Sequence, residues 1–264
     1  MQNVIFYFTG TGNSLYISKK LAGILDNTEI FSISNNLNLE DFNNKTFNSV
    51  GIVFPVYAWK MPKLVNNFLK QLKHINTSYL YTICNYKNEI GIALDDFHKK
   101  LKLQNINLSA SFDIKMPGNA VTTYDIDSDD MIKEIISKAD IKLEELSVSI
   151  KKSTKNSFKK SKISENIFLG LLNKIGMSAT PDKKFNINEK CNGCGICKNV
   201  CPSGNILIDS KKPIWIKSNC EYCLACINWC PTKAIQFGNK TIKRKRYQNP
   251  YINVKEIIIN TKKE

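Results

Sequence analysis

At 264 residues, with 42% hydrophobic content and eight prolines, the chain has the size of one large domain or two ordinary ones and reads as a soluble globular protein. No apolar run approaches the ~18 residues of a membrane span. The first run, residues 4–8, begins too near Met1 to leave room for a secretory signal, so a cytoplasmic location is expected. The formal net charge of +15 divides unevenly: residues 1–150 carry 15 Lys against 16 Asp and Glu, whereas residues 151–264 carry 23 Lys and Arg against seven acids, a first sign of two domains.

Taken from the amino terminus, short apolar runs of strand type fall at residues 4–8, 29–33, 50–54, 80–84 and 111–116. Helix-like stretches separate or follow them, near residues 14–25, 62–72, 90–101 and 131–150. The last repeats Ile132, Ile135, Ile136, Ala139, Leu143, Leu146 and Ile150 at helical spacing. Five strands alternating with helices predict an α/β fold, a parallel sheet covered on both faces.

The first strand runs into Thr9-Gly10-Thr11-Gly12-Asn13-Ser14, and a helix follows. Glycines and small hydroxylated residues let the backbone close around an anion. Their N–H and O–H groups, with the helix N-terminus, hold a phosphate without Lys or Arg. The G-x-x-x-x-G-K-[ST] loop is absent, and Leu15 stands where the dinucleotide fingerprint needs its third glycine. A glycine-rich turn with no ligand is the alternative. The six positions resemble the phosphate loop of flavodoxins, [ST]-x-T-G-N-[ST], which binds the monophosphate of FMN. The resemblance implies a flavodoxin-like doubly wound sheet of order 2-1-3-4-5, its ligand lying at the carboxyl ends of the strands where the order reverses. Two further loops should meet there: Pro55-Val56-Tyr57-Ala58-Trp59-Lys60-Met61-Pro62 after the third strand and Asn85-Tyr86-Lys87-Asn88 after the fourth. Tyr57 and Trp59 would flank the flavin ring.

A Lys- and Ser-rich stretch, residues 151–162, reads as a linker or a fraying helix end. Ile163, Ile167, Leu171, Leu172 and Ile175 then mark a short amphipathic helix. It either docks on a domain or lies on a membrane surface, and its length and mid-chain position favour docking. Beyond the cysteines comes a basic tail with Lys243, Arg244, Lys245 and Arg246, followed by a strand-like run at 254–259.

Of nine cysteines, Cys84 stands apart and the other eight crowd between residues 191 and 230. In a reducing compartment such crowding argues for metal rather than disulfides. Cys191, Cys194, Cys197 and Cys201-Pro202 recur at identical spacing as Cys220, Cys223, Cys226 and Cys230-Pro231, an internal duplication. Three thiolates two residues apart wrap one iron–sulfur cube, and the fourth, ahead of proline, reaches the other. By that rule Cys191, Cys194, Cys197 and Cys230 hold one [4Fe–4S] cluster, and Cys220, Cys223, Cys226 and Cys201 hold a second. Paired zinc sites are the rival, but they leave the third cysteine and the Cys-Pro step unexplained.

The cysteine segment resembles a bacterial two-cluster ferredoxin, a small α+β domain. The whole order is similar to a family of anaerobes in which a flavodoxin-like domain is fused to such a ferredoxin. That similarity includes Met116-Pro117-Gly118-Asn119, where Gly118 replaces an Asn common in the family. It divides the chain into an FMN-binding domain at 1–150, a linker with a short helix at 151–184, a ferredoxin domain at 185–240 and a basic tail at 241–264.

Cys84 reads as a core thiol and the helix-end His74 and His98 as exposed. Aspartates between residues 125 and 130 read as the cap of the helix beginning near Met131. No Ser/His/Asp or Cys/His constellation for nucleophilic catalysis can be assembled. The expected function is electron transfer, coupling one-electron transfer through two [4Fe–4S] clusters to FMN. An FMN-dependent oxidoreductase reducing a soluble acceptor is the alternative. The basic half suits a redox partner with an acidic surface. Nucleic-acid binding is the weaker use of that charge, because the lysines are scattered and no stacking motif accompanies them.

Overall fold

The computed structural model describes residues 2–42, 45–72, 75–156, 181–216 and 219–258. His74 and the amphipathic helix expected at 163–175 lie outside the described residues, as does most of the linker.

The amino-terminal half contains strands β1 (Asn3–Tyr7), β2 (Thr28–Ser32), β3 (Thr46–Phe47), β4 (Ser49–Pro55), β5 (Asn76–Thr77), β6 (Leu80–Tyr86) and β7 (Ala110–Lys115). Five of them form one parallel sheet in the order β2-β1-β4-β6-β7, which is the expected 2-1-3-4-5 once the short pair β3–β5 is set aside. The register pairs Ile5 with Ile30 on one side and with Gly51 on the other. Four helices connect the strands: α1 (Asn13–Ile24), α2 (Lys63–Leu69), α3 (Ala93–Lys102) and α4 (Asp129–Lys151). α1 packs beside α4, and α2 beside α3. Because crossovers are right-handed and the order reverses at β1, these pairs cover opposite faces. Every residue of β1 is buried, which is why its sequence is apolar throughout rather than alternating.

Aromatic packing fills the layer under α2, where Phe6 contacts Phe31, Phe42 and Phe68 at ring centroid distances of 4.9–6.0 Å. Phe54 stacks on Phe97 of α3 at 5.3 Å. Along α4, Ile132, Ile136, Ala139, Leu143, Leu146 and Ile150 are buried as their spacing predicts. Its cap is Ser128, whose hydroxyl accepts the Met131 N–H; the aspartates Asp129 and Asp130 stand in the first turn, where negative charge suits the helix dipole. His98 is half-buried, not exposed as expected, because α3 lies against the body of the protein.

In the carboxy-terminal half, β8 (Phe185–Ile187) pairs antiparallel with β11 (Ile235–Phe237), and β9 (Ile206–Asp209) with β10 (Lys212–Trp215). Two single-turn helices, Ile196–Asn199 and Ala225–Asn228, occupy equivalent places in the two cysteine motifs, as the duplication requires. A small core of Phe185, Ile206, Leu224, Ile227 and Ile235 joins these elements. The larger core runs on from the sheet into Val200, Ala225, Trp229, Tyr247, Ile252 and Ile257, so the two halves share one packed interior.

The basic tail is tied into the chain. Arg244 pairs with Asp125 and donates to the Val121 carbonyl, and Lys245 pairs with Asp129. Arg246 donates to the carbonyls of Thr241, Arg244 and Ile235 and to Gln236 Oε1. Three of the four clustered cations are therefore spent inside the chain. The run at 254–259 forms no strand among its described residues. Val254–Ile257 is a helical turn, because Asn253 and Glu256 make a reciprocal capping box at its start.

Candidate functional site

At the carboxyl edge of the sheet, beside β1 where the order reverses, lies a cavity of about 490 Å³. It is lined by Thr9, Gly10, Thr11, Asn13 and Ser14, by Pro55, Val56, Tyr57, Ala58 and Trp59, and by Asn85 and Tyr86. Among the expected site residues of this half, Gly12 alone is absent from the lining. Its outer side is covered by Asn249 and Ile252 of the tail. Three loops distant in sequence thus converge, because parallel strands ending at one edge place their following loops together.

The residues present fit a phosphate-bearing ligand. α1 begins at Asn13, so the N–H groups of its first turn have no partner within the helix, and that turn carries no acidic residue. Thr9 Oγ1 accepts the Gly12 N–H at 3.0 Å and closes the loop. Behind the loop, Asn85 Nδ2 donates to Ser14 Oγ (2.8 Å) and Asn13 Nδ2 to the Pro117 carbonyl (2.9 Å), tying β6 and the segment after β7 to the start of α1.

The aromatic residues divide their tasks. Tyr57 packs edge-on to Phe8 (6.0 Å), and its buried hydroxyl lies beside Gly10, with no hydrogen bond of full geometry among the described residues. Burial pushes that phenol well above its ordinary pKa, the nearby Cys223 adds to the rise, and Asn119 lies close enough only to ease it. Trp59 sits at the rim, 37% exposed, with its indole N–H donating to Glu89. Tyr86 turns its hydroxyl to Asp113 of the neighbouring strand.

The wall extends beyond the expected site residues, and Glu89 and Tyr124 lie outside every loop the sequence pointed to. Pro117, Gly118, Asn119 and Tyr124 line the cavity, and so do Lys87 and Glu89. Lys87 bonds both oxygens of Asp127 (2.7 and 2.8 Å) and lies over the Tyr124 ring at 4.5 Å. The Tyr124 hydroxyl and the Lys87 stem crowd the Gly118 Cα, which accounts for glycine at that position.

More consequential are Glu221, Tyr222 and Leu224, which come from the second cysteine motif and close the cavity from the other half. Tyr222 (φ 53°) and Leu224 (φ 60°) adopt left-handed backbone, as do their counterparts in the first motif, Gly193 (φ 72°) and Gly195 (φ 74°). The second copy keeps the same backbone with side chains attached, at a cost of about 1–2 kcal/mol each. Those side chains are the ones that wall the cavity. A faint signal was present: at both places the duplication replaces glycine.

The eight clustered cysteines gather into two sets. Cys191, Cys194, Cys197 and Cys230 surround one small cavity, and Cys201, Cys220, Cys223 and Cys226 another, in the crossed pattern expected from the spacing. Backbone N–H groups are directed at the sulfurs: Asn205 to Cys201 (3.3 Å), Ala234 to Cys230 (3.2 Å) and Tyr222 to Cys220 (3.4 Å). Burial pushes Cys197 and Cys220 up to about 11, so these groups take metal only by giving up the thiol proton. Cys84 is fully buried in β6, with its thiol held protonated by burial, as a core residue should be.

The halves meet between these sites. Gly10 abuts the backbone and Cβ of Cys223. Trp229 Nε1–H donates to the Gly10 carbonyl (3.0 Å), and Asn119 Nδ2 to the Cys223 carbonyl (3.1 Å). Glu221 and Leu224 line both the large cavity and the one surrounded by Cys201, Cys220, Cys223 and Cys226.

A flavodoxin-domain family model matches residues 4–137, just over half of the chain. The chain belongs to the flavodoxin-domain family. A second family model, the 4Fe-4S dicluster domain, matches residues 183–231, so the protein is a flavodoxin–ferredoxin fusion. Its cofactors are FMN and two [4Fe–4S] clusters. Similar solved structures include the Fusobacterium nucleatum flavodoxin bound to flavin mononucleotide, 15% identical, covering 59% of this chain and 100% of that one with a TM-score of 0.39. The Streptococcus pneumonia TIGR4 flavodoxin is 16% identical, covering 56% of this chain and 99% of that one (TM-score 0.38). A flavoprotein from Lactobacillus acidophilus in complex with FMN is 12% identical, covering 42% and 92% (TM-score 0.37). No curated protein matches the chain. Among the described residues of the fusion, no helix is long and apolar enough to cross a membrane.

Proposed function

We propose that this redox protein is an electron carrier in which one-electron transfer through the two clusters is coupled to FMN, the two-electron terminus, within one chain. The observation that carries the reading is the shared wall: Glu221 and Leu224 border both the flavin cavity and the Cys201/Cys220/Cys223/Cys226 cavity, and Cys223 rests on Gly10 of the phosphate loop. FMN supplies one- and two-electron chemistry, and each cluster supplies a single-electron site.

The chain's residues then take these roles. Thr9–Ser14 hold the phosphate through backbone N–H groups and hydroxyls. The loops at 55–59 and 85–86, with Tyr222 and Leu224, enclose the ring and exclude water. Cys201, Cys220, Cys223 and Cys226 ligate the cluster on the flavin side, and Cys191, Cys194, Cys197 and Cys230 the outer one. Cys194 is exposed, and exposed Lys190, Lys198, Lys211 and Lys212 share its part of the chain. An acidic redox protein docking there suits that charge.

The test is anaerobic stopped-flow mixing with a one-electron donor. Bleaching of the clusters should precede flavin reduction, and the second phase should not depend on protein concentration. A flavin phase that scales with protein concentration, or no flavin phase at all, would sink the coupling. Transfer from an acidic partner should slow as salt is raised; salt-independent rates would count against the docking surface.

A further inference from the structure

Neither Tyr247 nor Asn249 lines the flavin cavity, yet both reach the loop that holds the phosphate. Each is 1% exposed. The Tyr247 hydroxyl donates to Asn13 Oδ1 at 2.6 Å, and Asn249 Nδ2 donates to the same oxygen at 3.1 Å. The Asn249 N–H donates to the Thr11 carbonyl at 2.8 Å. Asn249 and Ile252 together cover Gly12.

An anion site built from backbone needs its amides turned inward and its carbonyls turned away, since a carbonyl oxygen facing a phosphate repels it. Here the carbonyls of Gly10 and Thr11 are both taken by donors from the carboxy-terminal half, Trp229 Nε1–H and the Asn249 N–H. Asn13, the first residue of α1, has its side chain fixed on both ends: it donates to Pro117 and accepts from Tyr247 and Asn249. We propose that the segment from Tyr247 to Ile252 is a positioning element for the flavin phosphate, holding the Thr9–Ser14 loop in its anion-binding form through Asn13 and the Thr11 carbonyl. This rests on the FMN reading of the cavity. It also gives the tail a task inside the molecule, on the far side of the phosphate loop from the ligand.

The test uses full-length protein with its clusters intact and its flavin removed. Binding of FMN and of riboflavin, which lacks the phosphate, is followed by quenching of flavin fluorescence. Tyr247→Phe keeps the ring and removes one hydrogen bond; Asn249→Ala removes the bond to Asn13, together with the turn bond that Asn249 Oδ1 accepts from the Tyr251 N–H, and leaves the backbone donor in place. Each variant should raise the FMN Kd by roughly five- to tenfold, the effect of one lost buried hydrogen bond, and leave the riboflavin Kd unchanged. Equal weakening of both flavins would mean general loss of packing and overturn the proposal, as would an unchanged FMN Kd. If the wild-type protein took up neither flavin, the FMN reading itself would fall and the proposal with it. Normal wild-type binding with insensitive variants would remove only the role of the tail.

Discussion

Gly10→Ala is the sharpest probe of how the two halves meet. A Cβ at residue 10 would stand 2.5 Å from the Cys223 carbonyl oxygen, 2.8 Å from the Tyr57 hydroxyl and 3.2 Å from Cys223 Cβ. None of these is the end of a flexible exposed side chain. Cys223 is held by Asn119 and by its place in the cysteine loop, and Tyr57 is packed against Phe8. Ordinary contact requires about 3.5 Å, so the interface must open by about 1 Å. Overpacking of this kind costs about 1–3 kcal/mol. Gly23, exposed near the end of α1, supplies the control, because an added Cβ there meets nothing within 4 Å. Gly23→Ala should stabilise the helix by about 0.5–1 kcal/mol. Both variants and the wild type are unfolded in urea without oxygen, with circular dichroism and flavin fluorescence as readouts. The two substitutions should move the midpoint in opposite directions, and Gly10→Ala should also weaken FMN binding. If Gly10→Ala shifts the midpoint as Gly23→Ala does, the halves are not packed as described and the shared wall between flavin and cluster is lost with them.

Trp229→Phe keeps an aromatic ring in the interface but strands the buried Gly10 carbonyl. A loss of about 1–3 kcal/mol is expected in denaturant titrations, and a change near zero would refute the bond. Gly118→Asn drives a side chain into Tyr124 and the Lys87 stem, breaking the Lys87–Asp127 pair. FMN affinity should fall in fluorescence titrations; an affinity equal to wild type would show that this corner yields freely. Stripping the iron releases the cysteine loop that carries Glu221, Tyr222 and Leu224, so FMN should bind more weakly to cluster-free protein. Retention of wild-type affinity by iron-free protein would mean that the first half makes the site alone.

Much of this protein is legible from its sequence. The apolar runs and the helical spacing of α4 specify the sheet because strands buried on both faces must be apolar throughout. Cysteine spacing predicts two crossed sets of four, since three thiolates two residues apart can wrap only one cube, and the structure gathers those sets around separate cavities. The Thr9–Ser14 loop announces an anion site because its chemistry is backbone chemistry, which small residues permit locally. These are properties of short segments, set by local geometry.

What only the tertiary structure decided is how the halves meet. Gly118 looks ordinary in the sequence until Tyr124 and Lys87 are seen crossing over it. The tail reads in the sequence only as basic, yet Arg244, Lys245 and Arg246 are bound by residues of their own chain. Tyr222 and Leu224 hold left-handed backbone that glycine holds in the sister motif, and their reason is a cavity formed with Tyr57 and Trp59, in the other half of the chain. Contacts of that range leave no periodicity or spacing behind, because the donor and the acceptor lie far apart in the chain and meet only when the two halves pack.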